Sequence, residues 1–164
     1  LRAAEAHLVR ADEGGGVAKD ELNLLLGEVY LMTGRLPQAK ERLAKAGTLM
    51  PARLRIGQIA AAQGDASRAR SEGEECRQFF ATKLQFAPSN VGFRVFLAEA
   101  HVLKGEFAQA LSVIDDGLVL APDNAQLRSL RAGVYTQWLA ALDRAPNTPP
   151  EGTPGVLERG LVAE

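Results

Sequence analysis

Apolar residues recur three and four positions apart along most of the chain, the spacing that gathers them on one face of a helix. Residues 1–12 place Leu1, Ala4, Leu8 and Val9 on such a face, and Gly14-Gly15-Gly16 ends it. Residues 20–33 carry Leu22, Leu25, Leu26, Val29 and Tyr30 before Gly34 breaks the run. The pattern resumes over about residues 36–49, with Pro37 in a first turn that tolerates it, and again over 53–63 up to Gly64. Asp65 is a natural cap for a long helix reaching about Phe86. Ala87-Pro88-Ser89-Asn90 introduces a helix over 91–104, Gly105 turns the chain into 107–120, and Pro122-Asp123-Asn124 precedes a long helix from Ala125 to about Arg144. A proline-rich linker over 145–153 leads to one more helix, from Thr153-Pro154 to near Ala163. No stretch alternates apolar and polar residues long enough for a strand, so the expected class is all-α.

One pattern occurs three times. Its first copy is Leu26-Gly27, Tyr30, Gly34, Ala39, Ala46 and Pro51; the third is Leu97-Ala98, His101, Gly105, Ala110, Gly117 and Pro122, each member 71 residues further on. Between them stand Ile56-Gly57, Ala60, Gly64, Ala69 and Cys76, 30 residues after the first. Leu26, Gly27 and Tyr30 share a helix face, and Ala39 and Ala46 face them from the returning helix. Small residues there let two helix axes approach, and Gly34, with no β-carbon, can take a left-handed turn between them.

These copies resemble the tetratricopeptide repeat family over roughly residues 20–124, with weaker flanks; residues 91–124 give the best copy, at the family's 34-residue length. The resemblance implies a right-handed α-α superhelix, a solenoid of antiparallel hairpins in one domain over 1–164. Its parts are a partial repeat over 1–16, repeats over 20–49, 50–90 and 91–124, and an atypical or partial repeat over 125–164. Two departures stand out. From Pro51 to Gly57 the chain is four residues shorter than the pattern, and Pro88 falls seven residues late, which lengthens the helix before it by about two turns. In the last repeat Trp138 and Leu139 continue the helix where glycine should break it. The chain starts at Leu1 and already reads as helix there, so a piece of a longer protein is expected.

Composition narrows the function. With 19 basic and 20 acidic residues the net charge is −1, which gives no footprint for nucleic acid. No apolar run is long enough for a membrane span, and no signal peptide opens the chain; a cytoplasmic setting is the expectation. A single cysteine excludes an internal disulfide framework or a cysteine metal cage; Cys76 is expected as a buried thiol. His101 stands where the family places tyrosine and is expected as a packed, hydrogen-bonded ring. Glu99 and His101 diverge on their helix, as do the adjacent acids Glu74-Glu75 and Asp115-Asp116. No catalytic, cofactor or metal site is therefore assigned, and Trp138 is expected in the core at the array's end.

Members of the family bind ligands along an inner groove lined by the first helix of each hairpin. Carried over by position, that groove is Leu24, Glu28, Leu31 and Met32; Leu54 and Gln58, with Ala61 and Ala62; and Val95, Glu99, Val102 and Leu103. It would suit a protein or peptide segment with apolar anchors and a basic residue. Glu28 and Glu99 would repel the chaperone C-terminal carboxylates that one subclass grips. Phe79, Phe80 and Phe86 on the lengthened helix form a second candidate patch, weighed against packing on the chain itself. The expected function is a non-catalytic scaffold without cofactor. The alternatives are a regulatory segment of a larger enzyme, such as a glycosyltransferase, kinase or secretion component, and a self-association module.

Overall fold

The computed structural model describes the backbone of residues 2–14 and 19–144, and their side chains apart from 12–14. The linker and helix expected after residue 144 lie outside the described residues, as do Gly15 and Gly16. Eight helices follow one another: α1 Arg2–Gly14, α2 Lys19–Met32, α3 Leu36–Lys45, α4 Met50–Ala62, α5 Ala66–Phe86, α6 Val91–Lys104, α7 Phe107–Leu120 and α8 Ala125–Arg144. There is no strand among the described residues. The architecture is the expected all-α arrangement of tetratricopeptide type.

Three of the turns are built alike. Gly34, Gly64 and Gly105 hold φ of 73°, 81° and 79°, the left-handed region in which a side chain is costly. The residue after each donates its N–H five positions back: Arg35 to Tyr30 at 2.8 Å, Asp65 to Ala60 at 2.9 Å, Glu106 to His101 at 3.0 Å. Each glycine N–H reaches the carbonyl three positions back, on Leu31, Ala61 and Val102. Together the two bonds satisfy carbonyls that a helix end leaves open. Helix starts are closed from the other side by side chains. Asp65 Oδ1 accepts from the Arg68 N–H at 3.0 Å, Asn90 Oδ1 from Phe93 at 2.9 Å and Asn124 Oδ1 from Leu127 at 2.9 Å.

The helices gather into two compact units, one up to Glu72 and one from Gly73 onward. In the first unit α1 packs on α2, α2 pairs with α3, and α4 packs on both α2 and α3. Its core joins Leu43 and Ala46 of the α3 end to Ala52 and Ile59 of α4, and Leu22 and Leu26 of α2 are also buried. A bidentate pair, Arg35 to Glu5 at 2.7 and 2.6 Å, ties the first hairpin turn to α1. In the second unit α6 and α7 pair and α8 packs on both. There Val95, Ala98, Phe107, Leu111, Ile114, Leu127, Val134 and Trp138 form one buried cluster.

The sequence pattern misplaces one boundary. It runs the second hairpin helix to Leu49 and starts the next at Arg53, whereas α3 stops at Lys45 and α4 starts at Met50. Pro51 lies inside the first turn of α4, where its missing N–H costs nothing, and is not a breaker ahead of it. A tight turn, with Leu49 N–H bonded to Ala46 O at 2.9 Å, makes the connection. The four-residue shortfall comes out of α3, which has 10 residues where its counterpart α7 has 14.

Candidate protein-binding site

On α2 the expected groove residues Leu24, Glu28, Leu31 and Met32 fall on one stripe, four, three and one positions apart. Leu24 and Leu31 are half-buried against the cluster of Leu43, Ala46, Ala52 and Ile59. Met32 is 69% exposed. Between them Glu28 is not a bare carboxylate. Arg55 of α4 donates Nε to Glu28 Oε1 at 3.1 Å and a second N–H to Gln58 Oε1 at 3.1 Å, joining two expected site residues. Sequence reasoning missed Arg55. Its signal was present: Glu28 and Gln58 occupy equivalent repeat positions, and Arg55 stands one turn before Gln58 on the same helix. Leu54 corrects the expectation in another way. It is fully buried and offers no surface to a ligand, while Ala61 and Ala62 are exposed.

In the second unit Val95 is likewise withdrawn, 3% exposed within the α6–α7–α8 core. Glu99, Val102 and Leu103 are half-buried, and Val102 leans on that core. Glu99 is engaged within the chain. The lining of α6 is thus Glu99, Val102 and Leu103, without Val95.

The aromatic patch on α5 divides. Phe80 is buried to 1% exposure, with its ring 4.9 Å from that of Phe96, 6.2 Å from Phe93 and edge-on to Phe79 at 5.2 Å. Such offset and edge contacts are the favourable aromatic geometries. Phe80 therefore leaves the docking patch and anchors α5 on α6. Phe79 is half-covered, with Lys83 over its ring at 5.2 Å, and Phe86 stays 83% exposed.

His101 is packed, with Nδ1 2.7 Å from Glu106 Oε2. It belongs to a charged network that links α5, α6 and the start of α7. Lys104 lies 2.6 Å from both Glu74 and Glu106, and Glu74 also accepts from Arg77 at 2.6 Å and Gln78 at 2.7 Å. Hydrogen bonds from Arg77, Lys104 and Gln78 hold Glu74 well below the usual carboxylate range. Burial pushes Glu106 upward, but Lys104 and His101 outweigh it and leave that carboxyl low too. In the unfolded chain both return to about 4.3. Their stabilising contribution is complete above that value and disappears as pH falls through the folded values. Stability should therefore decline as pH drops below about 5, and a Glu74→Gln/Glu106→Gln variant should show a shallower decline. Urea midpoints measured across the acid range check this; parallel acid limbs would contradict it.

Among the described residues no cluster of His, Cys, Asp and Glu could hold a metal ion, and no helix is long and apolar enough to cross a membrane. Cys76 is buried. Trp138 is fully buried and stacks on Phe107 at 5.9 Å with 17° between the rings.

Residues 60–134, from the last turn of α4 through Val134 of α8, match the family model described as tetratricopeptide repeat. No curated protein matches the chain. The repeated left-handed glycine turns, the paired helices with small residues between them and this match agree: residues 60–134 are a tetratricopeptide repeat region.

Proposed function

We propose that this repeat protein is an interaction scaffold that binds a protein or peptide segment through the stripe on α2. The observation that supports it is the contrast within α2. Leu22, Leu26 and Val29 are buried, whereas Leu24 and Leu31 are only half-covered and Met32 is largely open. Leu24 and Leu31 lean on the core with one side and keep the other uncovered, and Met32 carries this apolar stripe into the open. The ligand is an extended or helical segment with apolar anchors. A basic residue in it would share Glu28 with Arg55 and would not meet an unbalanced acid. The chain itself acts without catalysis or cofactor.

Affinity capture from lysate, analysed by mass spectrometry, tests this with Met32→Glu and Met32→Lys variants. Met32 is exposed, so its substitution leaves the fold intact, which amide exchange checks. Proteins held by the parent and lost from both variants support the stripe. An unchanged set of captured proteins overturns it.

A further inference from the structure

In the first unit, away from the α2 stripe, α3, α4 and the start of α5 enclose a pocket of about 210 Å³. Its floor is aliphatic, made by Ala44, Ile56, Ile59 and Ala60. Its rim carries Lys40, Gln63, Asp65 and Arg68. On α4 the floor residues Ile56, Ile59 and Ala60 lie about half a turn round the helix from Leu54 and Gln58. The pocket is therefore a different surface from the proposed groove and does not rest on it.

The rim is uneven in charge. Lys40 Nζ donates to the neutral Gln63 Oε1 at 2.8 Å and makes no ion pair among the described residues. The Arg68 guanidinium has no hydrogen-bond or ion-pair partner among the described residues, although its backbone N–H is bonded. The one rim carboxylate, Asp65, points Oδ1 at that Arg68 N–H, 3.0 Å away, and so spends itself on the positive end of α5. Two cations thus stand over an aliphatic floor with no carboxylate of their own.

We propose that this pocket is a second docking point, which seats an aliphatic side chain of an acidic peptide segment from a partner protein while Arg68 and Lys40 hold the neighbouring carboxylate. The aliphatic group takes the place of water over Ile56 and Ile59. Guanidinium–carboxylate bonds of this kind are the strong, directional ones, and they fix register.

The test uses N-acetyl-Leu-Glu-amide titrated into the whole chain, followed by ¹H–¹⁵N spectra, with N-acetyl-Leu-Gln-amide and N-acetyl-Gly-Glu-amide as comparisons. Saturable shifts at Ala44, Ile59, Ala60 and Gln63 are expected for Leu-Glu. Binding should be about tenfold weaker for Leu-Gln, and again in Arg68→Glu, the loss expected for one charged hydrogen bond. Gly-Glu should leave the floor residues unmoved. Arg68 is exposed, so its reversal does not threaten folding, and Lys40→Glu provides a second charge variant. Equal binding of Leu-Glu and Leu-Gln would mean that any apolar group enters and would overturn the acidic partner. No shifts with Leu-Glu would overturn the site, and neither result bears on the α2 stripe.

Discussion

Replacing Trp138 by alanine is expected to cost about 3–5 kcal/mol, the range for emptying a buried aromatic site. The ring is fully enclosed, stacked on Phe107, and is the largest side chain in the α6–α7–α8 cluster. Because α8 packs on α6 and α7, the loss should fall first on α8. Its amides should exchange faster while α2 and α3 keep their protection, as expected where repeats contact only neighbours. Trp138→Phe should behave differently. The indole Nε1 is buried without a hydrogen-bond partner among the described residues, so phenylalanine discards an unsatisfied donor and keeps the stack. Its cost should stay below about 1.5 kcal/mol. Urea unfolding with residue-level exchange separates the two; a Phe variant as damaged as the Ala variant would show that indole shape, not aromatic stacking, holds α8.

The second large effect concerns the approach of α2 and α3. A β-carbon on Gly27 would stand 2.6 Å from Cγ and 2.7 Å from Cδ2 of Leu43, which is itself fully buried. Gly27→Ala should destabilise by about 1–3 kcal/mol through overpacking, even though alanine gains about 1 kcal/mol of helix propensity over glycine. Leu43→Ala should cost about 2–5 kcal/mol by leaving a cavity. In the double variant the new methyl enters the space the leucine vacates, so the pair should cost less than the sum by about 1–2 kcal/mol. A double-mutant cycle from urea midpoints measures this. Additivity within about 0.5 kcal/mol would mean that this contact does not set the distance between the two helices.

Several features were readable from the chain because they depend on local chemistry. The Gly34, Gly64 and Gly105 turns, the Asp65, Asn90 and Asn124 caps and the packed roles of His101, Cys76 and Trp138 all follow from residue type and spacing. The misreadings share one cause: they turn on which neighbour a residue meets. Pro51 can end one helix or open the next, and the choice was made by how far α3 ran. Leu54 and Val95 hold repeat positions that could face out, yet adjoining helices cover them. Phe80 is the exception: it stands four positions after Cys76, on the face expected to be buried, and Phe86 falls off that face, so grouping the rings overlooked a spacing that separates them. The Glu28–Arg55 pair joins side chains 27 positions apart, and only the repeat register, which sets Glu28 and Gln58 in equivalent places, hinted at it. The pocket over Ile56 and Ile59 had no signature in the sequence, since three helices must assemble before it exists.

The three glycine corners have a consequence for how the array varies. A β-carbon built at Gly34, Gly64 or Gly105 meets nothing within 4 Å. The demand for glycine is thus a matter of backbone handedness alone and owes nothing to the surroundings. Such a corner is portable: it closes the same way whatever stands beside it. One hairpin can have a returning helix of 10 residues and the next one of 21 without either bend being redesigned. Length is free to drift on the far side of the corner, so new surface can be added to one repeat while its neighbours keep their shape.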